Sequence, residues 1–344
     1  MAYEFIYNGE GDLYELRNYK TLRASFFEYD HAGRCMASTE KEFEDTTDGI
    51  EYGDVLSGYR YEYDANNNLT KLTCMLDNDS WDTTYTYDMD NRPAEVLLDN
   101  GKKVVNTYDA IGRITSKALK NGNSNIHGTT ITYVPGVNGS KTALVATYQN
   151  GTDDAYNYAY DENGNIIQIW RGSGTFDSAP EKYSYEYDAA NQLVRENLYY
   201  GSGNSNNATY VYTYDQWGNI LTKKRHLYTT GTPGGNGLLL GNYSYTDSQW
   251  GDLLTSYNGS TITYDAMGNP MSYLGKTLTW EGKQLTGYSY SSTNISYAYN
   301  EDGLRLQKIV NNETTEYCYN GSVLISMKVG TGNTAKILRF SYDA

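Results

Sequence analysis

The sequence has few of the residues on which most enzymatic sites depend. Among its 344 residues there are only three histidines, His31, His127 and His226. No nucleophile elbow, zinc-binding HExxH motif or phosphate-binding loop is present. His31 lies close in sequence to Cys35, but the position after Asp30 varies from one repeat to the next, so we do not interpret the two as a thiol–imidazole pair. We predict that the chain has no catalytic residues and is not an enzyme.

Cysteine is equally scarce, and its spacing excludes the common cysteine-based sites. Cys35, Cys74 and Cys318 are far apart and odd in number, and no CxxC pair occurs. They therefore provide neither a typical zinc site nor a complete disulfide framework. We interpret them as small apolar fillers and predict no metal and no cofactor.

Positive charge and long apolar runs are also lacking. Lys and Arg total 27 against 42 Asp and Glu, a net charge of −15, which should repel phosphate backbones and anionic membranes. No apolar run approaches the roughly 18 residues that suggest a membrane span. We predict no nucleic-acid partner and no membrane insertion. The start, "MAYEFIYNGEG", is already repeat-like and carries no export signal, so any such signal would lie outside this segment.

Tyrosine and glycine are abundant, and they recur in one phrase. The chain has 38 Tyr against 6 Phe, with 34 Gly. "YAYDENGNII" (158–167) returns as "YTYDQWGNIL" and "YEYDANNNLT". The last aromatic residues of successive phrases, which we call the anchors, are 16 to 34 residues apart, usually a little over 20. Such a period indicates a repeat architecture in which each unit packs against its neighbours.

The anchors define a predicted ladder of aromatic side chains. Its members are Tyr63, Tyr87, Tyr108, Tyr160, Tyr187, Tyr214, Tyr264, Trp280, Tyr299 and Tyr319, with further anchors at Tyr7, Tyr29, Tyr133, Tyr245 and Tyr342. Aromatic pairs across neighbouring strands contribute roughly 0.2–1 kcal/mol each. We interpret the ladder as packing between hairpins; rows of exposed tyrosine rings are also suited to contact with glycans, which stays open as an alternative.

Each phrase predicts one β-hairpin. Aromatic residues alternate before the anchor, which indicates a strand. An Asp follows, whose carboxylate can accept backbone N–H groups as an Asx-turn. Three residues after it stands Gly or Asn, the residue types that tolerate a left-handed backbone. The predicted turn residues are Asp64, Asn67, Asp109, Gly112, Asp161, Gly164, Asp188, Asn191, Asp215, Gly218, Asp265 and Gly268. In "WEGKQL" and "YNGSVL" we predict two-residue primed turns at Glu281-Gly282 and Asn320-Gly321.

A chain of such units is expected to be all-β. An isolated hairpin is marginal in water, whereas many hairpins side by side can be stable. No segment has a helical period, and no change in composition marks a second domain. We predict a single array of tandem hairpins over residues 1–344, forming a continuous antiparallel sheet.

The phrase "YxYDxxGxL" resembles the tyrosine–aspartate repeat of the RHS/YD-repeat family. That family includes bacterial rearrangement-hotspot proteins, the C components of insecticidal toxin complexes and the teneurins. The resemblance covers essentially the whole chain, with the best matches at "YEYDANNNL", "YAYDENGNI", "YEYDAANQL" and "YTYDQWGNI". It implies a sheet that spirals into a hollow shell, which can enclose a toxic C-terminal part of the same polypeptide.

The sequence departs from this family in two respects. It ends at "FSYDA", inside a repeat, and none of its five prolines follows an Asp, so the Asp-Pro autoproteolysis signature of toxin-bearing members is absent. We expect a fragment of a longer secreted or cell-surface bacterial protein, truncated within a repeat. Strand edges exposed at the ends of such a fragment should favour self-association.

Two hypotheses of different kinds follow for the function. The first is a non-enzymatic segment of shell wall, whose partner is the rest of its own polypeptide. The second is a carbohydrate- or cell-wall-binding module. Calcium binding is disfavoured, because a calcium loop needs a bidentate carboxylate eleven residues after its first Asp, where Asp161 has Gly172.

Overall fold

A computed structural model describes residues 3–76 and 79–342. Within these ranges the chain forms thirty strands and two short 3-10 helices, at Val137–Gly139 and Gly332–Thr334. The predicted truncation point falls after Tyr342 and lies outside the described residues. The described part contains no helix with the length and apolar character that a membrane span requires.

The strands follow one another at short intervals. They are β1 (Tyr3–Tyr7), β2 (Leu13–Asn18), β3 (Arg23–Tyr29), β4 (Cys35–Thr46), β5 (Gly49–Tyr63), β6 (Leu69–Leu76), β7 (Asp79–Tyr87), β8 (Pro93–Leu98), β9 (Lys102–Tyr108), β10 (Ile114–Asn121), β11 (Ser124–Pro135), β12 (Lys141–Asn150), β13 (Asp154–Tyr160), β14 (Ile166–Arg171), β15 (Lys182–Tyr187), β16 (Leu193–Tyr199), β17 (Ala208–Tyr214), β18 (Ile220–Leu227), β19 (Leu238–Ser244), β20 (Ser256–Tyr257), β21 (Ser260–Thr261), β22 (Thr263–Tyr264), β23 (Pro270–Tyr273), β24 (Lys276–Glu281), β25 (Gln284–Tyr290), β26 (Thr293–Tyr299), β27 (Arg305–Val310), β28 (Glu313–Asn320), β29 (Val323–Val329) and β30 (Lys336–Arg339).

The strands form two antiparallel sheets, one of 21 strands (β1–β21) and one of nine (β22–β30). The predicted all-β fold of tandem antiparallel hairpins is confirmed, but the strands form two sheets where one continuous sheet was predicted. The chain also divides into two compact units. Unit 1 contains the residues up to Asn106, Leu119–Ser124 and the residues from Lys276 onwards; unit 2 contains Thr107–Ala118 and Asn125–Gly275. The single array predicted from the repeat stays a prediction.

Unit 1 contains a hydrophobic core made by two sets of strands. Tyr59, Leu72, Cys74 and Trp81, from β5–β7, pack with Ile325 of β29, and all five are at most 6% exposed. Residues near the beginning of the chain therefore share a core with residues near its end. This agrees with the apolar role predicted for Cys74, although the core brings Cys74 and Cys318 into one cluster, which their sequence separation did not suggest.

Polar contacts also join the first strands of unit 1 to its last strands. Among them are Tyr61 Oη to Asn320 Oδ1 at 2.5 Å, Lys20 Nζ to Glu281 Oε1 at 2.5 Å, and Arg23 Nη2 to Glu316 Oε1 at 3.6 Å. The side chains of Lys20 and Glu281 are largely exposed, so solvent screens that pair and its contribution to stability is small.

Unit 2 is built around polar and aromatic contacts between adjacent strands. Thr209, which is fully buried, donates from Oγ1 to Asn197 Oδ1 at 2.8 Å, and Asn197 Nδ2 donates to Ser184 Oγ at 3.0 Å. Tyrosine pairs add to this network, such as Tyr183 with Tyr200, whose ring centroids are 5.4 Å apart. Buried hydrophobic residues are few in the described part of unit 2, namely Ala179, Ala208 and Ile262, and partly buried tyrosines pack beside them.

The hairpin register explains why the phrase ends on an aromatic residue. In hairpin after hairpin the pairing shifts by one residue at the anchor: Tyr63 pairs with Leu69 and Tyr187 with Leu193, next to a β-bulge. The bulge accommodates the residue with the left-handed backbone that closes the turn.

The two primed turns lie one residue later than predicted. Glu281 pairs with Gln284 and Asn320 with Val323, so the two-residue loops are 282–283 and 321–322. Gly282 and Gly321 have φ values of 60° and 56° and occupy the first loop position, as in a type II′ turn. The prediction was wrong because it placed the glycine second, as in the Asn-Gly turns of type I′.

Candidate functional site

The most regular feature of the chain is the row of turns, in which each Asp forms the same set of hydrogen bonds. In the turn at Asp161, Oδ1 accepts the backbone N–H of Asn163 at 2.9 Å and of Asn165 at 2.8 Å. The N–H of Gly164 donates to the carbonyl of Asp161 at 3.2 Å. The same double acceptance by Oδ1 occurs at Asp30, Asp64, Asp88, Asp109, Asp188, Asp215 and Asp265. Each carboxylate thereby satisfies backbone donors of its own turn.

The left-handed positions have the backbone that the turn requires. φ is 87° at Gly112, 85° at Gly164, 90° at Gly218, 68° at Asn67 and 59° at Asn191. Gly268 has a φ of 78°. These values agree with the prediction from the Gly-or-Asn restriction. At Gly164 an added Cβ would meet nothing within 4 Å, so the restriction there comes from the backbone and not from crowding.

A further turn residue was missed in the sequence, although its spacing from the Asp is constant. The side chain of the fourth residue after the Asp donates a hydrogen bond to Oδ2 of that Asp. The donor is the amide of Asn68, Asn165, Asn219 or Asn269 at 2.8–2.9 Å, or the guanidinium Nε of Arg34, Arg92 or Arg113 at 2.7 Å. The recurrence of Asn or Arg at this spacing was the available signal. Gln192 in the Asp188 turn departs from the rule.

These bonds keep the turn carboxylates ionised. The amide of Asn68 lowers the pKa of Asp64, and those of Asn165 and Asn219 lower the pKa of Asp161 and Asp215. All three residues are partly exposed, and each carboxylate is already engaged by its own turn. Such groups are suited to closing a turn, and they are poor candidates for a general acid.

Asparagine at the left-handed position adds a link between neighbouring turns. The side-chain oxygen of each such Asn accepts a hydrogen bond from the preceding turn: Asn67 from Arg34 Nη1, Asn91 from Asn68 Nδ2 and Asn191 from Asn165 Nδ2, each at 2.9 Å. A glycine at the same position provides the backbone conformation but no such bond. The choice between Gly and Asn therefore decides which adjacent turns are tied together.

The anchor tyrosines form a second set of ties, through their hydroxyls. The hydroxyl of an anchor donates to a main-chain carbonyl of an earlier hairpin: Tyr63 to Cys35, Tyr87 to Leu69, Tyr133 to Ile114, Tyr160 to Val145, Tyr187 to Ile166, Tyr214 to Leu193, Tyr264 to Leu254, Tyr299 to Leu285 and Tyr342 to Leu324, at 2.6–3.0 Å. Phenylalanine has no hydroxyl, which gives a physical reason for the excess of tyrosine over phenylalanine.

The acceptor carbonyls lie where the backbone ladder has ended. The pairs between β14 and β15 run from Gln168 to Trp170, so the carbonyl of Ile166 lies beyond the last of them. Leu69 and Leu193 are placed likewise, two residues before the first pair with the following strand. A carbonyl left without a partner costs free energy when water is excluded from it. The tyrosine hydroxyl supplies the donor.

The remaining predicted ladder members occupy strand ends but differ in their contacts. Tyr108 ends β9, whereas Trp280 and Tyr319 are each one residue from the end of their strands. Trp280 has no hydroxyl to donate. Tyr319 lines a cavity in unit 1. In the last hairpins Tyr299 and Tyr342 keep the hydroxyl-to-carbonyl tie, whereas Trp280 cannot form one.

Two of the three histidines contact a side-chain amide and a backbone carbonyl. His127 Nε2 contacts Asn150 Oδ1 at 2.7 Å and His226 Nδ1 contacts the Gly234 carbonyl at 3.3 Å. Burial raises the pKa of the Cys35 thiol, and that of Cys74 to about 12, which disfavours the nucleophilic thiolate. No cluster of three or more His, Cys, Asp or Glu suited to a metal ion occurs within residues 3–76 and 79–342.

Comparison with known proteins gives structural neighbours only. No protein-family model and no curated protein matches the sequence. The solved structures similar to this chain include a TccC3 mutant of the Photorhabdus luminescens Tc holotoxin pore (14% identity, TM-score 0.48, covering 96% of this chain and 21% of that one). Two crystal structures are also similar, TcdB2-TccC3-Cdc42 and TcdB2-TccC3 without its hypervariable C-terminal region, each with 15% identity and a TM-score of 0.46, covering 99% and 96% of this chain.

The chain spans about a fifth of the length of these three solved chains (21–22%). At this identity and TM-score the likeness carries no information on activity, substrate or partners.

Proposed function

We propose that this chain is a structural repeat segment of a large secreted or surface-exposed bacterial protein and contributes wall to a shell. The observation that carries the proposal is the row of hydroxyl-to-carbonyl ties, in which a hairpin's anchor tyrosine bonds the backbone of an earlier hairpin. A row of hairpins tied in this way is suited to act as a wall, because each unit is held by its neighbours and none needs a core of its own.

The proposed role is non-enzymatic. The carboxylates that recur most often are used by their own turns, and burial raises the thiol pKa of Cys35, Cys74 and Cys318. The contacts of His127 and His226 are with a side-chain amide and a backbone carbonyl and include no nucleophile. These features support a structural role over a chemical one.

The partner in this proposal is the remainder of the same polypeptide, a C-terminal domain that the wall encloses or presents. The net charge of −15 would keep copies of the wall apart at low ionic strength. Self-association through strand edges remains a prediction; if it is correct, light scattering should show a larger mass as salt screens the repulsion.

The test is protease protection in the complete polypeptide that carries this segment. The proposal expects the C-terminal domain to resist digestion until denaturant opens the shell, whereas the same domain expressed alone is digested at once. Equal digestion rates for the enclosed and the isolated domain would contradict it.

A further inference from the structure

A polar cavity lies inside unit 1, and the proposed role as shell wall does not require such a cavity. Its volume is about 390 Å³, within the lower part of the range of small-molecule sites. One side is formed by β2–β5 and the other by β28 and the turn that precedes β27. Both sides belong to unit 1, so the cavity is closed by strands from the two ends of the chain.

Two buried polar atoms on its wall have no hydrogen-bond partner among the described residues. They are Asn18 Nδ2 and Thr21 Oγ1, and both residues line the cavity. Asn18 is only 4% exposed, and its Oδ1 accepts the backbone N–H groups of Lys20 and Thr21, which fixes the amide plane. A buried donor without a hydrogen-bond partner is unfavourable, so the arrangement favours a bound acceptor.

The charges on the wall select against anions. Glu40, Glu301 and Asp302 line the cavity, whereas the only cationic residue that does so in the described part is Arg23. Arg23 is already engaged by Glu40 at 3.3 Å and by Glu316 at 3.6 Å. Glu301 forms no ion pair among the described residues, so its carboxylate can accept hydrogen bonds from a guest.

Tyrosine rings complete the wall, and two of them are fixed in place. Tyr59 Oη lies 2.9 Å from Cys318 Sγ, and Tyr61 Oη donates to Asn320 Oδ1 at 2.5 Å. Tyr59 packs in the core and supports Tyr61, whose partly exposed ring is held in place and loses little conformational entropy on binding. The wall thus combines a free donor, free acceptors and a rigid aromatic surface.

We propose that this cavity binds a neutral sugar of monosaccharide to disaccharide size. A sugar hydroxyl both donates and accepts, so one guest satisfies Asn18 Nδ2 and the Glu301 carboxylate together. Its C–H faces pack on the tyrosine rings. The excess of carboxylates rejects uronic acids, which carry the charge of the wall.

The experiment is titration of the whole chain with a panel of neutral sugars, by calorimetry and ligand-observed NMR. The panel contains glucose, galactose, mannose, N-acetylglucosamine and their disaccharides, with glucuronic acid as the anionic comparison and glycerol as a small additive. The expected result is saturable one-to-one binding of at least one neutral sugar and no binding of glucuronic acid or glycerol.

Variants then place the sugar in this cavity. Asn18→Ala should weaken binding about tenfold, the loss of one hydrogen bond at the upper end of its usual range. Asn106→Ala is the matched control, because Asn106 is also buried with one unpartnered polar atom but does not line the cavity. Glu301→Gln keeps the size of the side chain. It should lower the affinity for the neutral sugar and reduce the preference for that sugar over glucuronic acid.

Three results would overturn the proposal. The first is that no neutral sugar binds saturably at millimolar concentration. The second is that Asn18→Ala and Asn106→Ala lower the sugar affinity equally. The third is that Glu301→Gln leaves the preference for the neutral sugar over glucuronic acid unchanged. If Asn18→Ala fails to fold, Thr21→Val and Glu301→Gln carry the same test.

Discussion

The two units use the same repeat phrase but are stabilised differently. Of the buried hydrophobic residues in the described ranges, ten lie in unit 1, including Phe43, Trp81 and Val96, and three lie in unit 2, Ala179, Ala208 and Ile262. Unit 2 depends on half-buried tyrosines and on the Asn197–Thr209 contact. The phrase thus defines the hairpin and its ties, whereas a hydrophobic core requires residues outside the phrase and a second set of strands.

The largest expected effect separates the core of unit 1 from the exposed turns. Trp81→Ala should lower the free energy of unfolding by about 3–5 kcal/mol, because Trp81 is 6% exposed and packs in the core cluster. Trp217 is the matched control, since it is 77% exposed at a turn tip and its replacement by Ala should cost about 0.5 kcal/mol or less. Urea unfolding measures both. If both variants lost the same free energy of unfolding, burial of Trp81 in the core cluster would not stabilise unit 1 more than an exposed turn residue does.

A smaller loss of stability is expected for a substitution that affects only the backbone conformation. Gly164→Val should destabilise by about 1–2 kcal/mol, because φ is 85° there and a Cβ meets no neighbour. Gly164→Asn should be tolerated better, since Asn67 and Asn191 occupy the equivalent position with positive φ. The comparison is again made by urea unfolding. If Val and Asn cost the same, the left-handed requirement is not the reason for the pattern.

The smallest effect concerns the turn carboxylate and depends on pH. The amide of Asn165 lowers the pKa of Asp161 below its ordinary 3.8, so the ionised form favours the folded state. That contribution is present above the unfolded pKa and is lost as the pH falls through the lower, folded value. Asp161→Asn retains a turn acceptor, as Asn8 shows by accepting the N–H groups of Glu10 and Asp12 at 2.9 Å.

The variant should therefore be slightly less stable than the wild type at pH 7, and the difference should shrink in acid. Thermal unfolding at a series of pH values from 7 to about 2 checks this, with Asp153→Asn as an exposed control. A difference that grew as the pH fell would contradict the sign of the pKa shift.

The sequence predicts what is local. The hairpin, its Asp acceptor and its left-handed residue follow from bonds within five residues, so the phrase around Asp161 and Gly164 contains all the information. The role of Asn165 was also local and could have been found from its constant spacing. The loops at Gly282 and Gly321 were misplaced by one residue because glycine is typical of both type I′ turns, where it is second, and type II′ turns, where it is first.

What the phrase could not predict depends on distant parts of the chain. Nothing near Cys74 or Cys318 indicates that they enter one core cluster, and nothing near Asn18 indicates a cavity closed by β28. The acceptor of each anchor hydroxyl is also non-local, 21 residues away for Tyr187. Such pairings are decided by packing between hairpins, which a repeat pattern does not encode.

The hydroxyl ties are the central claim, and equilibrium urea unfolding of a triple Tyr→Phe variant tests them most directly. Replacing Tyr160, Tyr187 and Tyr214 removes three hydroxyls that each donate to a carbonyl. The control is the triple replacement of Tyr148, Tyr156 and Tyr210, whose hydroxyls have no hydrogen-bond partner among the described residues.

At roughly 0.5–1.5 kcal/mol for each lost bond, the anchor triple should lose about 1.5–4.5 kcal/mol and the control triple close to nothing. Equal stability of the two triple variants would contradict the claim that tyrosine hydroxyls hold hairpin to hairpin.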